Sequence, residues 1–447
     1  MRLMHWIFAV CLLTASFDIA LVFEVGGTLR LAQILMVVVV IGALGKIAQS
    51  GTILWPQGGV PLLIWCGVQL IFFPLSLAPG IGAAYNLLLL FTVFGVFAVI
   101  QLYGLSGYVE SLMKVYILSY VFVALFGLFQ LVTPSLHLGT YFVTQWILRG
   151  KIPRINGFCY EPSYYATYMV MGWIMMIDLR ASNAEITAGR RWKWLTITLG
   201  AAMFLSTSRT AWIIMAVEGI ARGIPVAYHK FKREFAKLCA GDLRVQRPRV
   251  GLLVVGLILA GIGVAAASAI ASVVDPNIFL SGTGLNHTAA HSVNDRSGRS
   301  VDTFEVFLDH PWMGQSLTGV ASRVAELHGH QLTSVEDLRL WWGFPVILEV
   351  LAASGVIGVL PFLCFFGVIT IGNFSLIKCY WPEERAKWLR ALVRALIFEC
   401  LILLGNQNLL RVYLWFHVTM VVVVAFNLQH RRRSEGRNSD GLAMIQV

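Results

Sequence analysis

Apolar residues in this chain recur in long blocks separated by short polar links. The blocks run at about 5–23, 31–47, 61–78, 84–103, 115–133, 162–179, 194–208, 210–222, 250–274, 345–372, 391–405 and 409–428. Most reach or approach the roughly 20 residues that a helix needs to cross a hydrocarbon layer of about 30 Å. The pattern predicts an all-α polytopic membrane protein of about 12 transmembrane helices forming one integral membrane domain over residues 1–447. The first block has a basic start like a secretory leader, but its apolar body runs on into further apolar sequence. It is read as a retained signal-anchor helix.

Composition agrees: 57% of residues are hydrophobic and 13% charged, with a mean hydropathy of +0.74. That excludes a soluble globular protein of ordinary make-up. The formal charge of +11 is concentrated in the stretch from Ala221 to Val250 and in the links "DLRASNAEITAGRRWKW" and "KCYWPEERAKWLRALVR". The tail "QHRRRSEGRN" is basic as well. All of these fall on one side if the spans alternate, so the positive-inside rule puts them, both termini, the loop 223–249 and the tail 429–447 in the cytoplasm. The excess fits attraction to anionic lipid heads of the bilayer. Nucleic acid is not expected as a partner, because no basic face is interleaved with aromatic residues.

Two long segments, 134–161 and 275–344, then lie outside, the second carrying Trp312, Trp341 and Trp342 as a folded lid would. Within it "VDTFEVFLDHPW" places Val301, Phe304, Leu308 and Trp312 at helical spacing, predicting an amphipathic helix ended by Pro311. The cysteines and histidines have no metal-ligand spacing, so no metal site is expected. His328 and His330 stand as a candidate pair, with solvated loop residues as the plainer reading.

Positive charge should be sparse outside, yet Arg149, Lys151, Arg154, Arg209, Arg296, Arg299, Arg323, Arg339 and Arg411 all map there. Guanidinium forks meet phosphate oxygens with paired charge-assisted hydrogen bonds, so the clustering points to an anionic ligand. Snorkelling to lipid heads, or pairing with Asp295, Asp302, Glu305 and Asp309, is the alternative for each. Arg209 is singled out by its place in "FLSTSRTAW", a tight turn between two apolar segments. In "RINGFCYEPSYYA", Pro162 suits the first turn of a helix, which puts Glu161 at the mouth of a span. Glu161 could accept a proton from a sugar hydroxyl while Tyr160 and Tyr164 stack on a glycan; a capped helix with an aromatic belt is the alternative.

The succession of "GFCYEPSYYA", "FLSTSRTAW", a long loop with "RSGRSVDTFEVFLDHPWMGQS" and a span with "LAASGVIGVL" resembles the O-antigen ligase/polymerase superfamily over roughly residues 85–428. The resemblance implies a GT-C-like helical bundle whose large periplasmic loop caps a cavity at the outer leaflet of a bacterial inner membrane. It implies a substrate, a polyprenyl-diphosphate-linked oligosaccharide, and no metal or other cofactor. Chain-length regulators and export proteins are implied partners. Arg209 matches the arginine of the family's short turn, and Arg296 or Arg299 the one that opens the long loop. Arg209, Glu161 and Arg299 are thus the candidate catalytic residues; Arg154, Arg296, Tyr160, Tyr164, His328, His330 and Arg411 are candidates for substrate binding.

The ligases carry a histidine before the span that follows the loop. Here that stretch reads "LRLWWGFPVILEV", with no histidine, which favours repeat-unit polymerisation over ligation. His328 or His330 could be displaced equivalents. The competing class is a flippase or other transporter, for which a half-chain repeat and charged span interiors would be expected. No such repeat is legible here.

Overall fold

In a computed structural model the protein is described at residues 2–24, 28–75, 79–148, 152–223, 287–332, 341–407 and 409–443. The expected span 250–274, nearly all of the loop 223–249, and Arg149, Lys151 and Arg339 lie outside those residues. The chain divides into two compact units, Met1–Ser208 with Arg296–Val447, and Arg209–Asp295.

The larger unit is helical. Its elements are α1 (Arg2–Leu13), α2 (Leu31–Ser50), α3 (Gly59–Phe72), α4 (Pro79–Tyr103), α5 (Val109–Val132), α6 (Pro162–Ala181) and α7 (Arg190–Leu205). They continue with α8 (His287–Asp309, entering this unit at Arg296), α9 (Leu317–Leu327), α10 (Val346–Thr370), α11 (Gly372–Cys379), α12 (Glu384–Leu403) and α13 (Val412–Ala443). Two short antiparallel hairpins interrupt them: β1 (Val22–Glu24) with β2 (Thr28–Arg30), and β3 (Trp146–Leu148) with β4 (Ile152–Pro153). Registers pair Val22 with Arg30 and Trp146 with Pro153.

Among the described residues five helical stretches are long and apolar enough to cross a membrane: Leu31–Ser50, Tyr85–Tyr103, Val109–Val132, Val346–Cys379 and Val412–His430. By length and composition this suggests a multi-pass membrane protein. The span at α13 is the most enclosed, 89% buried, against 28% for α2, so α13 is central and α2 peripheral. On α2 the outward residues Ile34, Val37, Ile41 and Leu44 follow helical spacing and are all apolar, as a lipid-facing stripe must be. Around α13 pack α4 and α12, while α6 lies along α12 and α3 along α10.

Several expected spans take a different form. The block 5–23 is not one helix: α1 stops at Leu13, a turn follows, and the chain enters β1. The physical reason is a tertiary attachment, since the N–H groups of Asp18 and Ile19 both donate to the Phe158 carbonyl (2.9 and 3.1 Å), which a continuing helix would not allow. The block 61–78 yields only the 14 residues of α3, and 194–208 the 16 of α7. In α12 the first turns carry Arg390 and Arg394, both on the buried Asp178 of α6 at 2.8 and 3.1 Å.

The amphipathic stretch in the long loop is part of α8, which ends at Asp309 ahead of Pro311. The segment that follows is locked onto a break in α10. Gln315 and Ser316 donate backbone hydrogen bonds to the carbonyls of Ala352 and Ala353 (3.1 and 2.7 Å). Val356 and Ile357 donate in turn to Pro311 and Trp312 (2.9 and 3.3 Å). The helix opens there because Gly355 takes φ 59° and ψ −167°, a conformation open essentially to glycine alone. "HPWMGQS" and "LAASGVIGVL", 40 residues apart in sequence, thus share one backbone joint.

Candidate functional site

The site is built on the loop between β4 and α6. Ile155, Asn156 and Cys159 are fully buried there, which is unusual for a loop and requires that its polar groups be paired. Gln130 of α5 supplies much of that pairing: its amide donates to the carbonyls of Tyr141 and Gly157 (2.8 and 2.9 Å), and its oxygen accepts from the Gly157 N–H (2.8 Å). Asn156 donates to the carbonyls of Phe142 and Cys159, both at 2.8 Å. Gly157 has φ +55°, and a Cβ there would meet the Tyr165 ring at 2.7 Å, so only glycine fits the turn. Phe158 is the hub of an aromatic cluster, with Phe126 and Phe17 at 4.0 and 4.1 Å between ring centres.

This scaffold delivers Glu161 as the N-cap of α6, with Pro162 at the first helical position. The Glu161 side chain does not cap the helix; its Oε2 accepts instead from the Ser163 hydroxyl (3.0 Å) and the group is partly exposed. Tyr160 points outward at 56% exposure. Tyr164 lies under the Arg411 guanidinium, 3.7 Å from its ring centre.

Arg411 is engaged from within. Its Nη1 donates to Asp18 Oδ2 at 3.0 Å, and Arg30 Nε lies 2.9 Å from Asp18 Oδ1 as an ion pair without an aligned N–H. Burial opposes the Arg411 charge, and the Asp18 carboxylate is the counter-charge that offsets it. Two arginines thus share one buried carboxylate, and the charge left over is balanced by Glu161 beside Tyr164. Asp18 and Arg30 did not emerge from the sequence reading. The available signal was the cost of an aspartate inside an apparent span, which demands a partner.

Arg154 forms a second connection. Its Nε donates to Thr207 Oγ1 (3.0 Å), its Nη2 to the Thr207 carbonyl (3.3 Å) and its Nη1 to Gln145 Oε1 (2.8 Å). Thr207 is a β-branched residue with φ 55°, so the turn "STS" is held in a sparsely populated conformation by the arginine. Arg154 is therefore a positioning residue for the turn that precedes Arg209. Arg209 itself belongs to the smaller unit, half-buried at the start of a helical stretch over 209–223. In that stretch Arg222 pairs with the buried Glu218.

The remaining candidates sit on α8 and after α9. Arg299 is half-buried on α8, where its carbonyl accepts from Thr303 Oγ1 (2.6 Å); of Arg296 only the backbone is described. His328 Nε2 lies 2.9 Å from Asp302 Oδ2, and the rings of His328 and His330 lie 5.4 and 5.0 Å from that of Trp341. Arg323 pairs with Asp309 (3.2 Å) and Glu326 (2.5 Å), the alternative foreseen for external arginines. The structure therefore brings Tyr164, Arg411 and Glu161 to one end of α6, Arg154 to the "STS" turn, and the two histidines to Trp341. Compared with known proteins, the chain matches no family model and no curated sequence.

Proposed function

We propose that this protein is a membrane glycosyltransferase that polymerises polyprenyl-diphosphate-linked oligosaccharide repeat units into an exopolysaccharide or O-antigen at the periplasmic face of a bacterial inner membrane. The observation that supports it best is the junction at the mouth of α6. A partly exposed carboxylate and an exposed tyrosine stand on a loop held by buried hydrogen bonds, beside the Arg30–Asp18–Arg411 cluster whose extra positive charge balances Glu161. Such a site suits the hydroxyl-bearing sugar part of the substrate, with a carboxylate able to accept a proton and a tyrosine able to stack on a glycan.

In the reaction the acceptor hydroxyl attacks the anomeric carbon of the donor. A carbon–oxygen bond forms as the bond to the diphosphate oxygen breaks, and the electron pair leaves on the diphosphate. Glu161 takes the hydroxyl proton, and guanidinium groups, for which Arg209, Arg299 and Arg296 are the candidates, neutralise the departing charge. Arg411 acts inside the protein by holding Tyr164 and, with Arg30, balancing Asp18 and Glu161. The resemblance in motif order and the arginines along 154–411 support the same reading, and the missing histidine favours polymerisation over ligation to a lipid A core.

The test is reconstitution: purified protein in nanodiscs, lipid-linked repeat units and EDTA, with products resolved on a gel. Wild type should give a ladder, Arg209→Ala none, and Glu161→Gln a ladder strongly reduced at equal expression. Full product from Glu161→Gln removes the carboxylate from the mechanism. No ladder from folded wild type, with lipid-linked substrate crossing the bilayer instead, replaces the transferase by a flippase.

A further inference from the structure

At the opposite end of α6 from Glu161, about 30 Å away for a helix of this length, the α6–α7 link borders a second feature. An open pocket of about 380 Å³ is lined by half-buried Arg180, buried Thr187 and exposed Asn183, Gly189, Arg190 and Lys193, among others. Three of these are cations, and none of the three forms an ion pair among the described residues; the link's own carboxylate, Glu185, is not part of the lining. The pocket is a fixed piece of the fold: the Glu185 N–H donates to Glu384 Oε2 (3.0 Å), and Lys387 Nζ donates to the Asn183 carbonyl (3.2 Å). Both clamps come from α12.

The first turn of α7 adds to the attraction. Its N-cap is Gly189, which has no side chain to accept from the first-turn N–H groups, so the positive end of this 16-residue helix faces the pocket rim uncapped. Exposed aromatic residues nearby point to the ligand's source. Trp194, next to Lys193, is 56% exposed, and Trp381 is exposed on the adjoining link with Arg390 stacked 5.0 Å from its ring centre. Exposed tryptophans at helix ends mark the headgroup level of a bilayer, where lipid phosphates lie. Asp178, the carboxylate two residues before Arg180, is already bound by Arg390 and Arg394 and does not neutralise the pocket.

We infer that this pocket is a specific site for the phosphate of an anionic phospholipid, gripped by Arg180, Arg190 and Lys193. It is independent of the proposed transferase site, being at the other end of α6.

The experiment is native mass spectrometry of the full chain released from detergent with phosphatidylglycerol or phosphatidylcholine, and separately with inorganic phosphate. Wild type should retain phosphatidylglycerol in preference to phosphatidylcholine, a comparison that needs no variant. Lys193→Ala should weaken that retention about fivefold, and the triple variant Arg180→Ala, Arg190→Ala, Lys193→Ala roughly a hundredfold, at the usual strength of a basic side chain near a lipid surface. Lys378→Ala, an exposed cation outside the pocket, should leave it unchanged. Equal retention of both lipids by wild type, or undiminished phosphatidylglycerol binding by Lys193→Ala and the triple variant, overturns the assignment. So does inorganic phosphate binding that needs the same residues while phosphatidylglycerol does not compete.

Discussion

Replacing Gly355 by alanine tests the joint between α10 and the segment after α8. At φ 59° and ψ −167° any residue but glycine is strained by about 1–3 kcal/mol. The added Cβ would also sit 2.5 Å from the Met313 nitrogen and closer still to the Trp312 carbonyl carbon and oxygen. These are backbone atoms held by the hydrogen bonds from Val356 and Ile357, so they cannot turn aside as a side chain could. Overpacking of this kind costs about 1–3 kcal/mol more, for a combined loss of about 2–6 kcal/mol. At roughly 2 °C per kcal/mol for a large chain, the melting midpoint in detergent should fall by about 4–12 °C. Gly367→Ala on the same helix is the internal control. Its Cβ meets no atom within 4 Å, and alanine favours the helix by about 1 kcal/mol, so stability should hold or rise. Gly355→Ala melting together with wild type would refute the interlock.

Other expectations concern the charged junctions. Asp18→Asn leaves Arg30 and Arg411 without their shared counter-charge in a buried setting, and should destabilise by about 3–5 kcal/mol in thermal or denaturant unfolding. Arg154→Ala removes three hydrogen bonds, two of them to Thr207, at a cost of about 2 kcal/mol; amide exchange should accelerate around 206–208 before it does so in α5 or α6. Arg323→Ala, in contrast, breaks only a solvent-accessible pair with Asp309 and Glu326, and the melting midpoint should move by no more than about 1 kcal/mol allows.

The apolar blocks of the sequence were sufficient to locate the long helices, because a helix satisfies its backbone locally and an apolar run is a local property. Local punctuation was legible too: Pro162 opens α6 with Glu161 as its N-cap, and α8 stops ahead of Pro311. What only the tertiary structure decided are pairings between distant residues. Composition read 5–23 as a span, yet the Phe158 carbonyl ends it at a turn and hands Asp18 to Arg30 and Arg411. Arg411, one of the arginines mapped outside from sequence, is bound by that aspartate, 393 residues away in the chain. Arg154, one of several external cations in sequence, is set apart by its hold on Thr207, 53 residues on. The joint of residues 311–316 with 352–357 has no local signature beyond its glycines, since it consists of main-chain hydrogen bonds that any side chains small enough could share. The sequence determined which segments are apolar enough to leave water and where helices start and stop. The fold decided which buried charges neutralise one another, because that depends on distances across the bundle and not on spacing along the chain.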